Sequence, residues 1–79
     1  MFEERIRKHY ESLTPGFRKI ADFITSQTLD AAFLTTTELA RRVGVDQATV
    51  VRFAQYIEYS GYRELSQEIE DYVLQKVTA

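Results

Sequence analysis

Apolar residues return every three or four positions along most of this chain. Phe2, Ile6, Tyr10 and Leu13 form the first such run, with Arg5, Lys8 and Glu11 on the other side, which predicts an amphipathic helix ending at Leu13. Phe17, Ile20, Ala21 and Ile24 form a second stripe. Its start is marked in "TPGFRKIADFITSQ": Thr14 is a natural N-cap, and Pro15 at the first helical position has no N–H to leave unsatisfied. "LDAAFLT" predicts one or two turns, with Asp30 as cap and Phe33 and Leu34 as apolar plugs. In "TTTELARRVG" a threonine caps a helix with Leu39, Ala40 and Val43 on one face and Arg41 and Arg42 off it, and Gly44 stands where a left-handed C-cap falls.

The next helix follows at once, with Asp46 as a cap whose negative charge suits the positive helix end. At roughly 100° per residue, Val50, Phe53, Ala54 and Ile57 share one arc, while Ala48, Thr49, Arg52, Gln55 and Tyr56 share the opposite one. "EYSGY" breaks the pattern. Tyr62, Leu65, Ile69, Tyr72, Val73 and Val77 then form the stripe of a longer last helix, which reads either as a dimer seam or as a cover for the core. No segment alternates with period two for long enough to be a strand, so the expected fold is all-α, with five or six helices.

From Thr37 to Ile57 the order is helix, tight turn at Gly44 and Val45, helix, the spacing of a helix-turn-helix. Ala40 is small where the two helices cross, and Gly44 can take the positive φ that the turn demands. In such units the N-terminal part of the second helix enters the major groove. Gln47 can pair with an adenine edge, the methyl groups of Ala48 and Thr49 can meet a thymine methyl, and Arg52 can reach guanine or phosphate. Arg41 and Arg42, on the helix that crosses the backbone, are expected on phosphates, and Gln55 extends the outer arc. The bland alternative for Arg52 is an ion pair with Glu38 or Asp46, and for Ala48 and Thr49 it is plain helix surface.

These blocks carry a resemblance. "TTTELARRVGVDQATVVRF" followed by "YSGYRELSQEI", with "LTPGFRKIADFI" upstream, resembles the N-terminal helix-turn-helix domain of the RpiR family of bacterial transcription regulators over nearly the whole chain. The resemblance implies a regulator that binds duplex DNA as a homodimer or higher oligomer and controls sugar catabolism genes. It also implies a sugar isomerase (SIS) domain that senses phosphosugars, which residues 1–79 do not contain. Two positions depart from the family pattern: Asp46 stands where Ser or Thr is usual, and "YIEY" replaces a lysine-bearing "KLGF", placing Glu58 at a helix end that favours Gly.

Composition narrows the alternatives. Seventy-nine residues make one domain, and a chain of this size buries only roughly 60% of its unfolded surface, so each large apolar side chain is needed. The absence of cysteine excludes disulfides and thiolate metal sites and fits a reducing cytosol, so a cytoplasmic location is expected. No apolar run approaches the roughly 18 residues of a membrane span, and no signal peptide precedes the first helix. The net charge of -2 is unevenly spread: residues 1–63 carry +1 and the rest -3, so the acidity lies mainly in the tail.

No enzyme or cofactor is expected. His9, the sole histidine, reads as a solvated imidazole, no second ligand stands at metal spacing, and Glu68 with Asp71 reads as a wet helix face. Tyr10, Tyr62 and Tyr72 lie on apolar stripes, leaving Tyr56 and Tyr59 as the only tyrosines placed to stack on single-stranded bases. The competing reading from another class is a helical protein-interaction module whose outer arc meets a protein.

Overall fold

The computed structural model describes residues 1–78. Among these the elements are α1 (Phe2–His9), a 3-10 turn (Tyr10–Ser12), α2 (Pro15–Ser26), α3 (Thr28–Ala32), α4 (Thr36–Val43), α5 (Gln47–Tyr56) and α6 (Tyr62–Thr78), with no strand. The all-α expectation holds, and the count is six. Thr14 caps α2 by accepting from the Phe17 amide at 3.2 Å, with Pro15 at the first helical position.

The short third helix is less well anticipated. Asp30 lies inside its first turn and Gln27 occupies the cap position. Phe33 is 64% exposed and plugs nothing, whereas Leu34 packs on the core. The cap of α4 is Thr35, where three successive threonines left the choice open. Glu38 decides it: Thr35 Oγ1 accepts from the Glu38 amide at 3.1 Å while the Glu38 carboxylate accepts from the Thr35 amide at 2.8 Å, a closed capping box.

The core is a single cluster to which every helix contributes. Phe2, Ile20, Ile24, Leu39, Val50, Phe53, Ile57, Leu65 and Ile69 are its largest fully buried side chains. α6 lies across α3, α5 and α1, and α4 packs on α2 and α5. The stripe on α6 is therefore a cover: Tyr62, Leu65, Ile69 and Val73 are buried against this chain's own core and Tyr72 packs half-buried on it. Val77, assigned to the same stripe by periodicity, is 71% exposed because the core ends before the helix does.

Candidate nucleic-acid interface

The turn between α4 and α5 closes as its sequence requires. Gly44 has φ 91° and ψ 35°, a left-handed conformation open to Gly at little cost, and the Gly44 and Val45 amides both donate to the Ala40 carbonyl, at 2.8 and 3.0 Å. Asp46 then starts α5 by accepting the Thr49 amide at 2.7 Å. Val50, Phe53 and Ala54 point into the core, so α5 can rotate no further, and its opposite face is fixed outward.

On that face Gln47, Ala48, Arg52 and Gln55 are exposed and Thr49 is half-buried. The Thr37 hydroxyl, on α4, donates to Gln47 Oε1 at 3.1 Å, tying the first residue of α5 to the helix before it. Thr37 is a contributor that sequence reading passed over, since a surface threonine carries no periodic signal. Thr49 sits over the first turn of α2: a Cβ built on Gly16 would lie 3.8 Å from Thr49 Cγ2 and 3.9 Å from Val45 Cγ1. Arg52 makes no ion pair with Glu38 or Asp46; its Nη2 donates instead to Thr49 Oγ1 at 3.1 Å. The Thr49 hydroxyl in turn donates to Asp46 Oδ1 at 2.5 Å. The hydroxyl and then the amide of Thr49 hold the Asp46 carboxyl below its ordinary range.

The two arginines of α4 part company. Arg42 pairs with Asp30 at 3.2 Å and lies over the Phe23 ring, 5.3 Å from its centroid, so α3 holds it. Arg41 is exposed and joins no ion pair among the described residues. At the far end of α5, Gln55 Nε2 donates to the Ser60 carbonyl at 3.4 Å.

A family profile described as "Helix-turn-helix domain, rpiR family" matches residues 1–76. The chain belongs to the rpiR family of helix-turn-helix domains. Among curated proteins it is 39% identical over 61 residues to the "Uncharacterized HTH-type transcriptional regulator YfhH" of Escherichia coli (strain K12). The match takes in 77% of this chain and 22% of the relative, so the chain spans well under a third of that regulator. No solved structure matches. The family is one of helix-turn-helix domains, not of enzymes, and the relative is named as a transcriptional regulator. No helix among the described residues of this chain is long and apolar enough to cross a membrane.

The departure of this rpiR-family domain at "YIEY" has a structural counterpart. Glu58 adopts φ 78°, the one non-glycine residue with positive φ among those described. The helix end is of the glycine type: the Glu58 amide donates to the Gln55 carbonyl and the Tyr59 amide to the Ala54 carbonyl, both at 3.0 Å. A glutamate is held there by α1. Lys8 Nζ and His9 Nε2 donate to Glu58 Oε2 at 3.0 and 2.8 Å, and Arg5 Nη1 donates to the Glu58 carbonyl at 2.7 Å. His9 is therefore a hydrogen-bond partner of Glu58 rather than a solvated imidazole, and its ring lies against Tyr56, centroids 5.4 Å apart. Tyr59 offers no free stacking face, and Tyr56, 41% exposed, is engaged on one side. Tyr59 is 4% exposed under the Arg5 guanidinium, and Tyr56 packs on His9 and Phe17 while its hydroxyl donates to Ser12 at 2.7 Å.

The clasp has a pH signature. The hydrogen bond from His9, followed by that from Lys8 and its charge, lowers the Glu58 carboxyl from 4.5 to about 2. A lowered folded-state value means stability that is fully present above 4.5 and is lost as pH falls through about 2. Glu58→Gln is accordingly expected to lower the melting temperature at neutral pH and to flatten its decline between pH 5 and 2, followed by circular dichroism. Parallel acid limbs in parent and variant would remove Glu58 from that account.

Proposed function

We propose that this chain is the sequence-specific DNA-binding domain of a bacterial transcription regulator, reading a duplex operator through the outer face of α5. The observation that carries the reading is that face itself. It presents Gln47, Ala48, Arg52 and Gln55 to solvent at the second helix of a helix-turn-helix, where major-groove contact is made. Gln47 keeps its amide N–H groups for an adenine edge, Arg52 reaches guanine, and the Ala48 methyl meets thymine. Thr49 completes the start of the helix. Arg41 and Arg42 approach the phosphates, Arg41 exposed and in no ion pair among the described residues and Arg42 in competition with Asp30.

The homodimer belongs to this proposal too, because helix-turn-helix modules commonly meet paired half-sites one helical turn apart. The buried stripe of α6 does not provide the contact, since Ile69 and Val73 lie inside this chain's own core. We further infer a cytoplasmic protein that acts on sugar or phosphosugar genes, with the effector bound by a SIS domain outside residues 1–79. The family resemblance is what supports that assignment.

Selection from a random duplex library tests binding and reads the operator in one step. Two inverted half-sites support the homodimer, and a lone half-site excludes it. Binding to the selected duplex should weaken steeply with salt, and Arg41→Ala should make the slope of log K against log salt shallower by about one unit, with all sequences weakened alike. Salt-independent binding, or binding to no duplex, would favour a protein-interaction module, for which exposed Leu29 and Phe33 offer an apolar contact.

A further inference from the structure

From the bonds among Asp46, Thr49 and Arg52 we infer that Asp46 and Thr49 are positioning residues for Arg52, and that Thr49 reads no base itself. This rests on the DNA reading above. The direction of the chain follows from proton count. A threonine hydroxyl has one hydrogen, and an ionised carboxylate can only accept, so the bond between Thr49 Oγ1 and Asp46 Oδ1 at 2.5 Å uses that hydrogen. The remaining lone pairs on Oγ1 then face donors, and Arg52 Nη2 supplies one at 3.1 Å. Arginine to hydroxyl to carboxylate is the only order the atoms permit.

Each part of Thr49 is thereby occupied. Its hydroxyl joins Asp46 to Arg52, its amide is capped by Asp46 at 2.7 Å, and its methyl lies at ordinary contact distance from the space a Cβ on Gly16 would fill. The side chain is half-buried where Gln47, Ala48 and Arg52 are exposed. A methyl facing α2 is not available to a thymine. Arg52, by contrast, is held at one nitrogen only, which restricts the motion of a long side chain while leaving its other donors for a base edge. The carboxylate that begins the helix therefore also acts three and six residues further on, and a net-acidic cap contributes to placing a cation.

The test compares base preference, position by position along the selected duplex, for the parent chain, Arg52→Ala, Thr49→Val and Thr49→Ser. Valine keeps the branched shape and deletes the hydroxyl; serine keeps the hydroxyl and deletes the methyl. Thr49→Val is expected to lose about tenfold in discrimination at the same base pair that Arg52→Ala affects and nowhere else. Thr49→Ser should retain it, and Thr49→Val combined with Arg52→Ala should lose no more than Arg52→Ala alone. A cap with a purely structural role would lower the melting temperature of Thr49→Val without moving one base preference. Thr49→Ala repeats the measurement should valine disturb the first turn. A loss at a different base pair would overturn the inference while leaving DNA binding intact, and so would unchanged preference in both variants. A parent chain that selects no duplex would instead defeat the reading on which the inference rests.

Discussion

Phe53→Ala is expected to lose about 3 to 5 kcal/mol of stability and to abolish DNA binding along with it. The ring is fully buried on the inner face of α5 and meets Phe17 edge-on, centroids 5.8 Å apart and planes at 70°. Phe17 in turn carries the Tyr56 ring at 5.6 Å. Truncation at residue 53 thus opens a cavity under the helix proposed to read DNA and removes the surface on which Phe17, the support of Tyr56, rests. A domain of this length has about 4 to 12 kcal/mol of stability in all, so the loss is a large share of it. Thermal denaturation should show a fall of at least about 12 °C. Phe53→Leu, which refills most of the volume, should retain a cooperative transition. A Phe53→Ala variant melting within a few degrees of the parent would show that the core collapses around the cavity.

Arg52→Ala is expected to remove about 1 to 3 kcal/mol of discrimination at one base pair of the operator. Arg52 is the only cation of α5, is exposed and joins no ion pair among the described residues, so its removal gives up one surface hydrogen bond, to Thr49 Oγ1, and opens no cavity. Its melting temperature should stay close to that of the parent. The contrast with Arg41→Ala is the useful part: a phosphate contact weakens every sequence equally, whereas a base contact changes the ranking of sequences. Affinities for duplexes altered one base pair at a time separate the two. If Arg52→Ala weakens all of them in parallel, Arg52 sits on phosphate and the specificity comes from Gln47 and Ala48.

Much of the fold was legible because its determinants are local. Thr14 with Pro15, Gly44 and Asp46 each act within four residues of themselves, and the structure places them as caps and turn where the sequence reading does. The division of α5 into an inner and an outer arc follows from helical geometry alone. Where local signals are degenerate, the reading stops at the residue type: a threonine caps α4, but three adjacent threonines look alike until Glu38 closes a box on Thr35. Long-range partners leave no trace in periodicity. Nothing near His9 announces a carboxylate 49 residues away, and nothing near Tyr59 announces that Arg5 will lie over it. Phe33 reads as a plug and Val77 as part of the α6 stripe because both are apolar, but the core is finite and both lie beyond its edge. The candidate interface was readable as a set of exposed positions. The chain of bonds from Asp46 to Arg52 was not, because residue types three apart do not reveal which proton goes where.

The clasp on Glu58 joins residues separated by 49 to 53 positions, so forming it closes a far longer loop than any cap or turn in this domain. Local helices and the α4–α5 pair need no such closure. The clasp closes only once residue 58 has bent into its left-handed turn, so α1 gains these three bonds after the local helices have formed.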